Sequence, residues 1–230
     1  MKKVLILGAT GMIGAEILKH CLDSNEIAQV TAIVRSDLNI QHPKLTIIKH
    51  SDFTNYSSHQ TAFQQIDAAW FCLGVYTGAV PDPAFKEITV DYAKAFATML
   101  WQESPKSSLS FLSGAGADLT EKSKTPFARY KGMAENYLLT ANAGPVFIFR
   151  PGYIYPTVKR KEPNVMYAVM RFLYPLLRVF GPKFSITSAD LAAAMFFSAF
   201  NYPPKKILEN VDILNYLIGF QHSKREENKV

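Results

Sequence analysis

The chain has 230 residues, of which 48% are hydrophobic and 19% charged, and its formal net charge is +6. This composition excludes a disordered chain, and the length suits a single domain over residues 1–230 that buries roughly 70% of its unfolded surface. The two cysteines form neither a disulfide framework nor a metal-binding spacing, so we expect a cytoplasmic protein without a metal ion. No signal peptide or long apolar run is visible, so we expect no membrane-spanning helix.

Strands and helices alternate through the first 150 residues. The apolar runs predict strands over residues 4–7, 28–34, 45–48, 68–73, 108–112 and 146–149. Helices are predicted between them, over residues 12–24, 58–65, 84–101 and 126–142. Because the strands are hydrophobic on both faces, the pattern predicts an α/β fold with a doubly wound parallel sheet.

The turn between the first strand and the first helix carries Gly8, Gly11 and Gly14. Glycine permits a tight turn and a close approach of the main chain to a phosphate, and the helix N-terminus offers its amides to the anion. The spacing is G-x-x-G-x-x-G, which meets the dinucleotide fingerprint in context but not in every position. The predicted phosphate-binding residues are Gly8, Thr10, Gly11, Met12, Ile13 and Gly14.

Further phrases follow in order along the chain: C-L-G from Cys72, K-G-x-A-E from Lys131, R-P-G-x-I from Arg150 and D-L-A from Asp190. Together with the G-A-T-G-x-x-G turn they resemble the short-chain dehydrogenase/reductase superfamily in its extended and atypical branches. Within these branches they resemble the group related to the HIV Tat-interacting protein. The resemblance covers nearly the whole chain, and it implies a Rossmann fold, an NAD(P) cofactor and oxidoreductase activity.

The end of the second strand bears on the choice of cofactor. Arg35, followed by Ser36, favours NADP over NAD because an arginine here accommodates a 2′-phosphate, although nearby Asp37 could still reach a ribose. Asp52 and Phe53 follow the third strand, and the resemblance implies that they contact the adenine. Asp52 as a plain turn residue is the alternative.

Two later strand ends complete the predicted cofactor site. The resemblance implies that Leu73 and Gly74 pass beside the central phosphates and ribose of the cofactor. It also implies that the stretch with Pro151, Gly152 and Ile154 contacts the nicotinamide amide.

The predicted catalytic residues are Ser113, Lys131 and Tyr130, and Ser113 and Lys131 are also predicted to contact the cofactor. Relatives pair a serine after the fifth strand with a Tyr-x-x-x-Lys helix, where residues four apart share one face. The K-G-x-A-E phrase puts the tyrosine position at 127, and this chain has Phe127 there. Tyr130 precedes Lys131 directly, about 100° round the helix, and so cannot simply take over the role.

Three interpretations remain open at this point. The protein could be a reductase with another proton donor, such as Tyr76, Tyr130, Tyr153 or an ordered water. It could bind the dinucleotide without turnover, as a regulatory or scaffold protein. Alternatively, an irregularity in the helix could bring Tyr130 into the site.

The last third of the chain suggests the type of substrate. Residues 151–230 are expected to form the substrate-side cover, and the apolar stretch 164–180 suggests an apolar small molecule or a contact with a membrane surface or a protein. We expect a small carbonyl or hydroxyl compound as substrate. A homodimer is also expected from the resemblance, whereas the absence of a basic helix argues against nucleic-acid binding.

Overall fold

The computed structural model describes residues 1–141, 143–158, 174 and 184–227. Its strands are Lys2–Leu7 (β1), Ile27–Val34 (β2), Leu45–Lys49 (β3), Ala68–Phe71 (β4), Ser108–Leu112 (β5), Val146–Arg150 (β6), Tyr153–Tyr155 (β7), Ser185–Thr187 (β8) and Ile207–Glu209 (β9). Its α-helices are Met12–Asp23 (α1), Asp82–Lys86 (α2), Tyr92–Glu103 (α3), Pro126–Thr140 (α4), Ser188–Ser198 (α5) and Asn210–Glu227 (α6). The predicted apolar stretch 164–180 lies outside the described residues, except for Tyr174.

Within the described residues, seven strands form one parallel sheet in the order β3-β2-β1-β4-β5-β6-β9. The prediction of a doubly wound parallel sheet is thus confirmed. The strand order reverses between β1 and β4, and in such sheets ligands bind beside the carboxyl ends of the strands at this reversal.

Strand β1 shows why the sheet is covered on both faces. Val4 and Ile6 point into one core with the side chains of α1, α5 and α6, whereas Leu5 and Leu7 point into the other core with those of α3 and α4. All four side chains are fully buried. Each contributes about 1.5–3 kcal/mol by leaving water, so the two faces stabilise the strand together.

The structure corrects the prediction of one regular helix over residues 84–101. The helical stretch is interrupted by a π-helical turn at Glu87–Asp91, between α2 and α3. A π turn is produced by packing, here against α4, and leaves no clear mark in a hydrophobic pattern. The small parallel pair of β7 and β8 was also not predicted, because three-residue strands are too short to show a period.

In the part of the chain that the structure describes, no helix has the length and apolar character needed to cross a membrane. The same residues include no group of three or more His, Cys, Asp or Glu side chains that could hold a metal ion.

Candidate active site

The glycine turn after β1 is packed so closely that Gly8 and Gly14 leave no room for a side chain. Gly8 has a positive φ of 91°, and a Cβ atom there would lie 2.7 Å from the backbone of Cys72. At Gly14 a Cβ would lie 2.2 Å from the carbonyl oxygen of Gly8. The first glycine therefore makes the turn, and the third lets α1 approach the turn closely.

Helix α1 begins without a side chain on its N-terminal amides. Gly11 is the N-cap residue, no side chain in the described part of the chain caps the helix, and its first turn has no acidic residue. Helix α5, by contrast, is capped by Thr187, whose Oγ1 accepts a hydrogen bond of 3.0 Å from the amide of Asp190. The uncapped amides of α1 and the closely packed glycine turn both suit the pyrophosphate of a dinucleotide.

A cavity of about 580 Å³ lies at the carboxyl ends of the central strands. Predicted cofactor residues on its wall are Gly11, Met12, Ile13, Leu73 and Gly74. It is also lined by Ser113, Lys131, Pro151, Gly152 and Ile154. Gly8 and Gly14 shape the turn behind this wall, and Thr10 lines a neighbouring cavity of about 570 Å³ together with Gly11 and Met12.

Lys131 projects from α4 towards the carboxyl end of β5. Its Nζ donates a hydrogen bond of 3.0 Å to the carbonyl oxygen of Leu112 and lies 5.1 Å from the centre of the Phe111 ring. Burial lowers the pKa of Lys131 to about 8, while the nearby Glu135 and Cys72 act in the opposite direction. The amine can therefore exchange a proton near neutral pH.

Phe127 occupies the position one helical turn before Lys131, and it also lines the cavity. Its Cζ atom lies 2.6 Å from the point where a Cβ of Gly114 would be, so the ring rests on the glycine backbone. The position at which relatives carry a phenol is therefore apolar in this chain, and Gly114 provides the space for it.

Tyr130 lies outside the cavity, contrary to its prediction as a catalytic residue. Its hydroxyl donates a 2.6 Å hydrogen bond to Asp82 and accepts one from Arg129, and its ring packs on Phe85. Helix α4 is an uninterrupted α-helix, so the proposed irregularity that would turn Tyr130 inward does not occur. Of the other candidate donors, Tyr76 and Tyr153 line the cavity.

A buried polar network supports Ser113 from behind. Ser113 Oγ donates a hydrogen bond to Glu135, which is fully buried. The guanidinium of Arg150 contacts both carboxylate oxygens of Glu135, with Nε at 3.1 Å from each, and reaches Glu209 at 2.9 Å. Glu135 had been noticed only as part of the K-G-x-A-E phrase, because its contact with Ser113 spans 22 residues and is not visible in a local pattern.

The other predicted cofactor residues lie near Tyr92, which sequence reasoning overlooked. The ring of Phe53 lies 5.4 Å from that of Tyr92. Burial raises the pKa of the Tyr92 hydroxyl, with Glu87 and Asp52 acting in the same direction and Arg35 in the opposite one. Arg35 and its neighbour Ser36 are exposed. Asp52 accepts hydrogen bonds from Thr54, which lower the pKa of its carboxyl, and this is the geometry of a turn residue.

The sheet order, the glycine turn and the cavity at the reversal define a Rossmann-type dinucleotide-binding protein. The chain matches the NAD(P)H-binding family over residues 8–199, and it belongs to that family. The solved structure of MoeE5 in complex with UDP-glucose and NAD shares the fold, with a TM-score of 0.67 at 17% identity over 90% of this chain and 75% of that one.

Two curated relatives are more similar to this chain in sequence. The protein HTATIP2 of Rattus norvegicus is 28% identical over 71% of this chain and 67% of its own length, which confirms the resemblance to the atypical reductases of that group. The mitochondrial protein fmp52 of Emericella nidulans is 26% identical over 75% of this chain and 74% of its own. Because that relative is named as mitochondrial, the cytoplasmic location of this chain stays a prediction.

Proposed function

We propose that this protein is an NADP(H)-dependent oxidoreductase that acts on a small, apolar carbonyl or hydroxyl compound. The observation that carries the proposal is the position of Lys131, a partly buried amine that lines the same cavity as the uncapped N-terminus of α1. Bound NADPH supplies the hydride in such a reaction. The amine of Lys131 holds a proton that it can release near neutral pH, and Phe127 presents an apolar ring to the same cavity.

The preference for NADP rests on the charges that follow β2. Arg35 is exposed and forms no hydrogen bond or ion pair with any residue that the structure describes, so its guanidinium is available to a 2′-phosphate. Asp37, the carboxylate that would favour the ribose of NAD, instead pairs with Lys49 at 2.6 Å. Both features favour the phosphorylated cofactor.

Phe127 favours a second candidate, a protein that binds the cofactor without turning it over. In this alternative the bound dinucleotide controls a partner, and the apolar ring replaces the phenol that would move the proton. Lys131 and Ser113 then serve only to hold the cofactor.

Consumption of NADPH with a panel of small apolar aldehydes and ketones separates the two candidates. For the reductase we expect turnover by the wild type and a loss of about 100-fold or more in Lys131→Met. The exposed Lys122→Met is the control and is expected to keep the wild-type rate. An inert wild type that gains turnover through Phe127→Tyr would instead support the binding protein.

A further inference from the structure

The hydroxyl of Ser113 is polarised by its buried neighbour. A serine hydroxyl has one hydrogen to donate and two lone pairs with which to accept. Ser113 is 8% exposed and donates its hydrogen to Glu135. The guanidinium of Arg150 keeps Glu135 an acceptor, because it supplies the positive charge that a fully buried carboxylate needs.

The remaining hydrogen-bonding capacity of Ser113 is therefore on its lone pairs. Within the described part of the chain no group donates to Ser113 Oγ, and Ser113 lines the cavity. The oxygen thus offers the cavity an acceptor, whereas a serine that polarises a carbonyl substrate must donate.

Lys131 supplies the complementary group on the same wall. Its Nζ is anchored on the carbonyl of Leu112, the residue before Ser113, and keeps further N–H groups beyond this hydrogen bond. A ligand hydroxyl can donate to Ser113 and accept from Lys131. A carbonyl or an ether oxygen can only accept, and it would leave the Ser113 oxygen without a partner.

We propose that Glu135 is a positioning residue that fixes Ser113 as a hydrogen-bond acceptor, so that the cavity selects a ligand hydroxyl over a carbonyl or ether oxygen. The inference rests on the proposed function, since it concerns the ligand that shares the cavity with the cofactor. Two sources can supply the hydroxyl: a separate alcohol or the nicotinamide ribose of the cofactor.

Matched probes test the inference on the full chain saturated with NADPH, which cannot oxidise an alcohol. Cyclohexanol and its methyl ether differ in the hydroxyl hydrogen, and their binding is followed by calorimetry. We expect the wild type to bind the alcohol about 5- to 10-fold more tightly than the ether. Ser113→Ala should abolish this ratio, because the acceptor is gone.

Glu135→Gln is the more specific variant. The carbonyl of the amide is expected to face Arg150 and its N–H to face Ser113, so Ser113 accepts from the amide and its hydrogen turns to the cavity. The alcohol-to-ether ratio should then disappear. Glu209→Gln removes charge from the far side of Arg150 and is expected to keep the ratio. If Glu135→Gln does not fold, the alcohol-to-ether ratios of the wild type and Ser113→Ala are the test.

A second titration identifies the source of the hydroxyl. If it belongs to the cofactor, Ser113→Ala weakens NADPH binding about 5-fold or more but leaves 2′,5′-ADP binding unchanged, because that fragment lacks the nicotinamide ribose. The inference is overturned if alcohol and ether bind equally to the wild type while Ser113→Ala leaves the affinity for NADPH unchanged, or if the ratio survives in Ser113→Ala. It is also overturned if neither probe binds and Ser113→Ala leaves the affinity for NADPH unchanged.

A wild type that binds no NADPH gives a different result from all of these. It contradicts the proposed function itself, and the inference falls with it. Binding of NADPH without discrimination between the probes, and with the same affinity in Ser113→Ala, contradicts only the role of Glu135 and Ser113.

Discussion

Lys131 carries its charge in a site that disfavours it. Burial lowers its pKa from 10.5 to about 8, so between these values the unfolded chain holds a proton that the folded protein has released. Stability therefore rises with pH across this window, and below pH 8 the full cost of the buried charge is present. Because burial disfavours the charged form, the amine also releases its proton at a lower pH than an exposed lysine does.

Replacement of Lys131 by methionine should remove the destabilisation that the buried charge causes. We expect Lys131→Met to be more stable than the wild type at pH 7 by up to about 3 kcal/mol, and the difference to shrink towards pH 10.5. Urea unfolding at three pH values measures it, with the exposed Lys122→Met as a control that lacks this pH dependence. A difference that stays constant with pH would show that Lys131 is not buried as a charge.

Single residues also show the limit of sequence reasoning. The position of Phe127 one turn before Lys131 follows from helical spacing, and the structure places both on the cavity. The direction of Tyr130 does not follow from it, because Asp82 and Phe85, more than 40 residues earlier, hold its ring away from the cavity. The roles of Glu135 and Tyr92 were hidden for the same reason, since distant contacts create them.

At the scale of elements, the glycine turn joins β1 to α1 by contact between backbones. We expect Gly14→Ala to destabilise the fold by about 1–3 kcal/mol, because the Cβ would meet the carbonyl of Gly8 at 2.2 Å and α1 would have to move. The affinity for NADPH should fall at least about 10-fold as the helix amides shift. Thermal unfolding and calorimetry measure the two effects.

Gly219→Ala provides the matched control for this substitution. Gly219 is exposed in α6 and has open space around its Cα, so alanine there should raise stability by up to about 1 kcal/mol and leave the cofactor affinity unchanged. Equal behaviour of the two variants would contradict the close packing of α1 on the turn.

The ion pairs of Arg150 connect α4, β6 and β9. Arg150→Met leaves the carboxylate of Glu135 buried without its counter-charge, and we expect a loss of about 3–5 kcal/mol in the free energy of unfolding. Glu209 is half exposed, and Glu209→Gln should cost less than about 1 kcal/mol. Chemical denaturation measures the free energy of unfolding of both variants. Similar losses in the two would contradict the dominant role of the buried ion pair.

Helices and strands can be predicted from the sequence where a local pattern of residues determines them. Strand β1 was recognisable because burial on both faces makes it a continuous apolar run, and α4 because Pro126 begins it. The π turn at Glu87–Asp91 and the pairing of β7 with β8 depend on neighbours elsewhere in the fold, so the sequence alone did not reveal them.

At the scale of the whole molecule, the doubly wound sheet brings residues from both halves of the chain to one edge. The glycine turn, Ser113, Lys131 and the stretch from Pro151 to Ile154 line or border one cavity because they follow or face the carboxyl ends of parallel strands. The fold thus explains why residues far apart in the sequence meet at one cavity in a chain of the NAD(P)H-binding family.

The central claim is that this site binds NADP(H), and calorimetric titration with NADPH and then NADH tests it most directly. We predict tighter binding of NADPH by the wild type, and a loss of about 10- to 100-fold for NADPH but not for NADH in Arg35→Ala, because the arginine contacts only the 2′-phosphate. Lys106→Ala removes an equal charge from the amino end of β5 and should change neither affinity. Failure of the wild type to bind either nucleotide would contradict the account.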